Sequence, residues 1–415
     1  MDLSASGAPD ETAVDETPDS DRPPFAIHTE GSSAADRGTA LLPGGDGSIL
    51  IGGITEGELE PGERGKGKDI FIARYDIIRS RQWVRQIGSD AEDILTAITP
   101  GDDGAFYLLG HTAGLLGEAA YGKSDIVIAK YGADGTRSWL KQYGSAEDDL
   151  AFAAAATGSS IYIGGSTRGK LVPGNLPQQE DGFIMELDPD GNIVRSTLVG
   201  SSRADRVTAI IPGDKETLYI AGTTDGGLHG NATYGNIDGF LANYDRSLAH
   251  RWTRQFGTTG ADIVLAGAAN GANIALAGMT FGSLDHEINA GNYDALLIVF
   301  DLNGNRFFSR QHGNDGFDAF YGAAFLADGT VVAAGTSLGA VFSQPAAGGY
   351  EIIAVHYDLY GQRRREFQYG TAGDDGVYAL SATDDVTTLT GALSGRNSDI
   401  PYTGISDYFI MDIKW

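Results

Sequence analysis

The sequence has no cysteine among its 415 residues, which excludes a disulfide framework, a thiolate zinc site and a cysteine nucleophile. Basic residues are scarce as well, because 29 lysines and arginines stand against 56 aspartates and glutamates, giving a formal net charge of -27. Nucleic-acid binding needs a basic surface, so nucleic acid is not an expected partner. The hydrophobic fraction of 41% nevertheless suits a globular protein with a core.

Long hydrophobic runs are also missing. The longest apolar block is residues 295–300, far shorter than the roughly 18 residues of a membrane helix, so membrane insertion is not expected. Residues 1–24 show neither the basic start nor the apolar stretch of a signal peptide. Residues 1–23 carry seven acids and a single base, Arg22, and are interpreted as a disordered acidic tail before a domain of residues 24–415.

What the sequence does contain is a repeat of 56 or 57 residues after Pro23. One marker is a glycine followed five residues later by an aspartate: Asp36, Asp93, Asp149, Asp205, Asp262, Asp318 and Asp375. A second marker, Gly-x-Thr/Ser-x-Gly, keeps the same period from residues 53–57 to residues 391–395. A third is an acidic residue that opens an apolar run: Asp69, Asp125, Asp181, Asp238, Asp294, Glu351 and Asp407.

Each period contains four short segments that are predicted to be strands, separated by turns rich in Gly, Asp and Ser, for example residues 126–131, 137–143, 150–156 and 161–165. None is long enough for a helix, and several are apolar on successive residues, as in strands covered on both faces. Stacked propeller blades cover strands in this way. The repeat therefore predicts an all-β fold, a seven-bladed β-propeller with four antiparallel strands per blade.

The ends of the sequence predict how the ring closes. Residues 25–57 contain only the last three strands of a repeat that starts at the acidic marker, and the missing first strand appears at residues 407–413. The expected closure is a split blade of three N-terminal strands plus one C-terminal strand, which removes open sheet edges.

The repeat resembles bacterial SBBP-type repeats of seven-bladed β-propellers. The resemblance rests on the strand beginning at the acidic marker, the Asp-Pro-Asp-Gly-Asn turn at residues 188–192, and the Ile-Tyr-Ile-Gly-Gly-Ser-Thr stretch at residues 161–167. It implies a bacterial protein, extracellular or at the cell surface, of a family whose activity is usually unassigned. Because no signal peptide is visible, a cytoplasmic or complex-associated location is the alternative expectation.

Long variable loops are expected to share one face of the propeller with the Gly-x4-Asp turns, and they comprise residues 58–68, 115–124, 170–180, 227–237, 283–293, 340–350 and 396–406. Such loops on a rigid scaffold usually carry the binding site. Tyrosines recur in them: Tyr121, Tyr234, Tyr293, Tyr350 and Tyr402, with Phe281, Phe317 and Tyr321 expected nearby. These aromatics suit a protein hot spot or sugar stacking, or else they pack the loops onto the blades.

The repeated acids admit two interpretations. If the strand opened by the acidic marker lines the channel, Asp69 and its six equivalents form a ring at the channel mouth, where calcium is a candidate ligand. The alternative is that each acid binds backbone N–H groups where its strand begins. For Asp36 and its equivalents a structural role in the Gly-x4-Asp turn is favoured, with help from the Thr/Ser of the second marker.

Motifs of catalysis are absent from the sequence. The seven histidines form no His-x-His or His-x3-His pair, and no nucleophile elbow, phosphate loop or dinucleotide fingerprint appears. We therefore expect no enzyme and no certain cofactor. The sequence indicates a non-catalytic binding or scaffold module that engages a protein partner or larger assembly through its long-loop face. The alternative is a carbohydrate-binding or carbohydrate-cleaving propeller with calcium.

Overall fold

The computed structural model describes residues 24–62, 65–174, 177–342, 344–395 and 402–415, so the predicted acidic tail lies outside the described residues. The described chain forms 28 strands in seven four-stranded antiparallel sheets, with two short 3-10 turns at Asp102–Gly104 and Leu228–Gly230. The predicted all-β, seven-bladed propeller is confirmed. Among the described residues, no helix has the length and apolar character needed to cross a membrane.

The strands are numbered in chain order, and β1 is Phe25–Glu30. Blade 1 contains β2 (Asp36–Pro43), β3 (Ile49–Thr55), β4 (Asp69–Tyr75) and β5 (Arg81–Ile87). Blade 2 contains β6 (Asp93–Pro100), β7 (Phe106–Thr112), β8 (Asp125–Tyr131) and β9 (Arg137–Tyr143). Blade 3 contains β10 (Asp149–Thr157), β11 (Ser160–Thr167), β12 (Asp181–Leu187) and β13 (Ile193–Val199).

Blade 4 contains β14 (Asp205–Pro212), β15 (Thr217–Thr224), β16 (Asp238–Asp245) and β17 (His250–Phe256). Blade 5 contains β18 (Asp262–Ala269), β19 (Asn273–Thr280), β20 (Asp294–Asp301) and β21 (Arg306–His312). Blade 6 contains β22 (Asp318–Phe325), β23 (Val331–Leu338), β24 (Tyr350–Tyr357) and β25 (Arg363–Tyr369). Blade 7 combines β26 (Asp375–Thr383), β27 (Val386–Leu393) and β28 (Asp407–Lys414) with β1.

The predicted closure is wrong, because the split blade consists of one N-terminal strand and three C-terminal strands. Blade 1 is complete with β2 to β5, and only β1 is left to pair with β28, from Phe25 opposite Ile413 to Glu30 opposite Tyr408. The prediction of three N-terminal strands started each blade at the acidic marker, after the long loop. That loop instead joins the second and third strands of one blade, and the short Gly-x4-Asp turn crosses to the next blade.

The strands that line the central channel are those opened by the Gly-x4-Asp aspartates. These first strands contact one another around the whole ring, and each carries a β-bulge two or three residues after its aspartate. Middle strands such as β3 and β20 are buried almost throughout, because neighbouring blades cover both faces. The fourth strands, such as β5, are the most exposed.

The two faces of the propeller therefore carry different connections. The loop face carries the long loops between second and third strands and the Gly-x4-Asp turns between blades. The hairpin face carries the turns between first and second strands and between third and fourth strands. Tight turns on it place glycine in the left-handed region, as at Gly191, where φ is +78° and an added Cβ would lie 2.9 Å from the ring of Trp139 in the preceding blade.

A polar cluster joins the closing blade to blade 1. The hydroxyl oxygens of Tyr75 and Tyr408 are 2.6 Å apart, and both lie within hydrogen-bond distance of Glu30 Oε2, at 2.9 and 3.2 Å. Arg81 forms an ion pair with the same carboxylate oxygen at 2.8 Å. Glu30 lies on β1 and Tyr408 on β28, so this cluster ties two strands of the closing blade to blade 1.

Candidate functional site

The Gly-x4-Asp aspartates are buried inside the turns that join neighbouring blades. Asp93 has no exposed surface and accepts hydrogen bonds from the backbone N–H of Ser89 at 2.6 Å, from the Ser89 hydroxyl at 3.1 Å, and from the hydroxyl of Thr112. Ser89 belongs to the turn and Thr112 to the second marker. The structure thus places this aspartate where it holds the turn against the end of the second strand.

The seven acids of the third marker do not form a ring at the channel mouth, because they lie on the third strand of each blade instead of the channel-lining first strand. The acids at the start of the third strands are Asp69, Asp125, Asp181, Asp238, Asp294, Glu351 and Asp407. They bind turn and loop donors, as when Asp125 accepts from the Tyr121 backbone N–H at 2.7 Å and from Gln142 Nε2 at 2.8 Å. Within the described ranges, no three or more histidine or acidic side chains gather closely enough to hold a metal ion.

A glutamine on the fourth strand clamps this arrangement in blades 1, 2, 4, 5 and 6: Gln86, Gln142, Gln255, Gln311 and Gln368 donate to the third-strand acid of their blade. Blade 3 departs from the pattern, because Leu198 occupies the place of the glutamine. Leu198 packs against the cluster that includes the buried Val172 of the adjoining loop. The loop of blade 3 is therefore held by apolar contacts where other blades use an amide.

This replacement leaves Asp181 without the amide donor that its equivalents in blades 1, 2, 4, 5 and 6 have. The side chain is 5% exposed and its Oδ1 has no hydrogen-bond partner. Burial raises the pKa of the Asp181 carboxyl to about 6, and the charge of the neighbouring Asp205 adds to the rise. The folded protein therefore binds the Asp181 proton more tightly than the unfolded chain does.

We expect Asp181 to make the protein less stable as the pH rises from about 4 through 6, because its folded-state pKa lies above the unfolded value of about 3.9. Asp181→Asn should remove this part of the pH dependence, and Leu198→Gln should move it to lower pH by supplying a donor to the carboxylate. Thermal midpoints measured between pH 4 and 7 test this. Parallel profiles for wild type and Asp181→Asn would contradict it.

Two of the five tyrosines named from the sequence come together with two phenylalanines on the loop face. The ring centroids of Phe281 and Tyr293 are 5.2 Å apart and those of Tyr293 and Phe317 are 5.9 Å apart. Phe317 and Tyr350 follow at 6.2 Å. These four residues, here called the aromatic row, run from the long loop of blade 5 across the turn into blade 6.

The aromatic row is partly open to solvent. Phe281 is 49% exposed, and the nearby loop residues Ile288 and Leu338 are 84% and 41% exposed. The hairpin face also has exposed apolar residues, such as Ile78 and Tyr360, but they stand at the tips of separate hairpins in blades 1 and 6. Adjacent rings on neighbouring loops present a continuous apolar surface, which isolated hairpin tips do not.

The other three tyrosines lie apart from the row. Tyr121 and Tyr234 are 52% and 56% exposed and belong to the loops of blades 2 and 4. The hydroxyl of Tyr402 donates to the backbone carbonyls of Ser394 and Ile405. Tyr321 lies on a channel-lining strand, its ring 5.5 Å from that of Tyr378. Parts of four of the long loops lie outside the described residues.

The row occupies positions that form an ion pair at the junction between blades 1 and 2. The Asp93 backbone N–H donates to the Lys68 carbonyl and the Asp318 backbone N–H to the Tyr293 carbonyl, each at 2.8 Å, so Lys68 and Tyr293 are equivalent. Lys68 forms an ion pair with Glu92 at 2.7 Å, and Phe317 takes the place of Glu92. An alignment of the repeats shows this exchange in the sequence, because Tyr293 and Phe317 align with the charged Lys68 and Glu92.

Comparisons with known proteins leave the family open. No family model matches the chain, so the predicted SBBP-type family is not confirmed. The chain is similar to regulatory protein FlaEY of Caulobacter vibrioides, with 24% identity over 323 residues, which are 68% of this chain and 34% of that protein. The chain thus spans about a third of this relative's length.

Among solved structures, the chain is similar to the WD40 β-propeller domain of Doa1, with 9% identity, a TM-score of 0.49, and coverage of 92% of this chain and 97% of that one. It is also similar to the phage phi92 endosialidase, with 9% identity, a TM-score of 0.48, and coverage of 94% of this chain and 69% of that one.

Proposed function

We propose that the protein is a non-catalytic binding module that holds a protein partner against the loop face, with the aromatic row at the centre of the contact. The observation that carries the proposal is the row itself, four adjacent rings on the loop face of blades 5 and 6. Clustered aromatic side chains supply much of the energy of protein interfaces. Ile288, exposed in the same loop as Tyr293, adds an apolar side chain with no ring on which a sugar could stack, which favours a protein surface over a sugar.

Two further points support a binding role. The propeller is a rigid scaffold whose variable loops share one face, so sequence changes in the loops leave the blades unchanged. The Caulobacter relative is a regulatory protein by name. Regulation through a bound partner needs a surface and no reaction, and a module built around the aromatic row provides such a surface.

The experiment compares Phe281→Ser and Tyr350→Ser with Phe307→Ser. Phe307 is 59% exposed on the fourth strand of blade 5, away from the row, and serves as the matched control. A partner that co-purifies stoichiometrically with the native protein should bind each row variant at least about tenfold more weakly and the control unchanged. This corresponds to a loss of about 1.4 kcal/mol or more in binding free energy.

Titration calorimetry with the purified partner gives the dissociation constants. Equal affinities for wild type and both row variants would reject the row as the binding site. A parallel thermal-shift series with oligosaccharides tests the carbohydrate alternative. A rise in melting temperature that the row variants abolish, without any stoichiometric protein partner, would favour that alternative and overturn the proposal.

A further inference from the structure

Two exposed carboxylates flank the aromatic row without a basic partner. Asp315 and Asp374 lie in the turns that enter blades 6 and 7, and both are exposed. Neither forms an ion pair with a basic side chain in the described part of the chain. Asp374 Oδ1 accepts the backbone N–H of Tyr350 at 3.1 Å, which places this carboxylate beside one end of the row.

The same positions are neutralised at one other junction, the one between blades 1 and 2. Asp90, the equivalent of Asp315, forms an ion pair with Lys66 at 2.8 Å, and Glu92, the equivalent of Asp374, forms one with Lys68 at 2.7 Å. In blade 5 the position of Lys66 is held by Gly291, a glycine as in most blades, and its backbone lies directly against that of Asp315.

In blade 6 a ring of the row, Tyr350, takes the place of Lys68. The two junctions beside the row therefore lack the lysines that pair with the carboxylates between blades 1 and 2. The corresponding positions beside the row hold a glycine or an aromatic ring.

We propose that the partner segment bound by the aromatic row is basic, with arginine or lysine side chains that lie on the rings and pair with Asp315 and Asp374. The inference rests on the proposed function and adds the chemistry of the partner. Cations bind the faces of tyrosine and phenylalanine rings, and more strongly where water is excluded. Without a basic partner among the described residues, the two exposed carboxylates can pair with charges supplied by another chain.

The charge of the whole protein acts in the same direction. With a net charge of -27, the protein attracts a basic segment at long range and repels an acidic one. Stacking on the aromatic row and ion pairs with Asp315 and Asp374 then determine where on the acidic surface the segment binds. An acidic or neutral segment would gain the apolar contact alone.

The test uses a rhodamine-labelled, amidated decapeptide of alternating arginine and serine, with glutamine and glutamate versions as probes of charge. Fluorescence anisotropy at 50 and 200 mM sodium chloride should show binding of the arginine peptide, weaker at the higher salt concentration. The Asp315→Asn/Asp374→Asn double variant should bind it at least about fivefold more weakly. The matched control, Asp90→Asn/Glu92→Gln, removes the same charge from lysine-paired positions and should stay within about twofold of wild type.

Three results would overturn the inference: no binding of the arginine peptide, equal binding of the glutamine peptide, or equal losses in the two double variants. Its failure is distinguishable from failure of the proposed function. If the native partner depends on Phe281 but not on Asp315 and Asp374, the row is the binding site and the segment is not basic. If the partner ignores Phe281 and Tyr350, the row itself is rejected.

Discussion

Replacing Tyr408 by alanine is expected to lower the free energy of unfolding by about 3–5 kcal/mol. Tyr408 is 1% exposed where the closing blade meets blade 1, with its ring centroid 4.6 Å from that of Phe71. The substitution opens a cavity in this packing and removes a hydrogen-bond partner from both Tyr75 and Glu30. Guanidinium unfolding followed by far-ultraviolet circular dichroism measures the loss.

Tyr408→Phe separates the two contributions, because it keeps the ring and removes only the hydroxyl. We expect it to cost about 1–2 kcal/mol, the range for buried groups that lose one hydrogen-bond partner. If the alanine variant proved no less stable than the phenylalanine variant, the ring packing at this junction would not hold the propeller closed.

Replacing Asp93 by alanine should destabilise the protein by a similar amount, about 3 kcal/mol or more. Asp93 accepts hydrogen bonds from the Ser89 backbone N–H, the Ser89 hydroxyl and the Thr112 hydroxyl. Alanine leaves these buried donors without an acceptor, at a cost of about 1–3 kcal/mol for each one that water cannot reach. The effect should appear as an earlier unfolding midpoint with an unchanged denaturant dependence.

Asp93→Asn is the matched control, because asparagine keeps the size and shape of the side chain and removes its charge and one acceptor oxygen. Its amide oxygen can still accept from the Ser89 backbone, whereas its NH₂ group cannot accept from Thr112. Burial raises the pKa of the Asp93 carboxyl, so loss of the charge itself removes an unfavourable contribution to stability. We therefore expect the asparagine variant to be clearly more stable than the alanine variant. Equal stability would show that the turn does not depend on this acceptor.

The sequence was sufficient to predict the number of blades and the strand content but not where each blade begins. The number of blades follows from seven copies of Asp36 and its equivalents at a nearly constant period. A tandem repeat can be divided at any phase, and the longest loop is an attractive boundary. Hydrogen bonding decides otherwise, because Thr55 pairs with both Asp36 and Asp69 across that loop. Only strand pairing, which is long-range, fixes the phase.

The candidate site was predictable only in part, because the sequence shows which loop residues depart from the repeat but not which of them meet in space. Tyr293 and Tyr350 stood out because they break the repeat within long loops, and the structure brings them to Phe317. The separate positions of Tyr121 and Tyr402 could not be read from the sequence, because loop conformation depends on contacts between blades. Both residues lie in the same kind of long loop, but the kind of loop does not show how far each residue lies from the aromatic row.

The pairing of β1 with β28 also determines where additional chain would attach to the propeller. Phe25 lies opposite Ile413, and the backbone N–H of Lys414 donates to the Pro24 carbonyl at 2.9 Å, so both ends of the propeller meet on the hairpin face. A tag, linker or neighbouring domain fused at either end would emerge on the side away from the aromatic row. Immobilisation through either end would therefore present the loop face outward to a partner in solution.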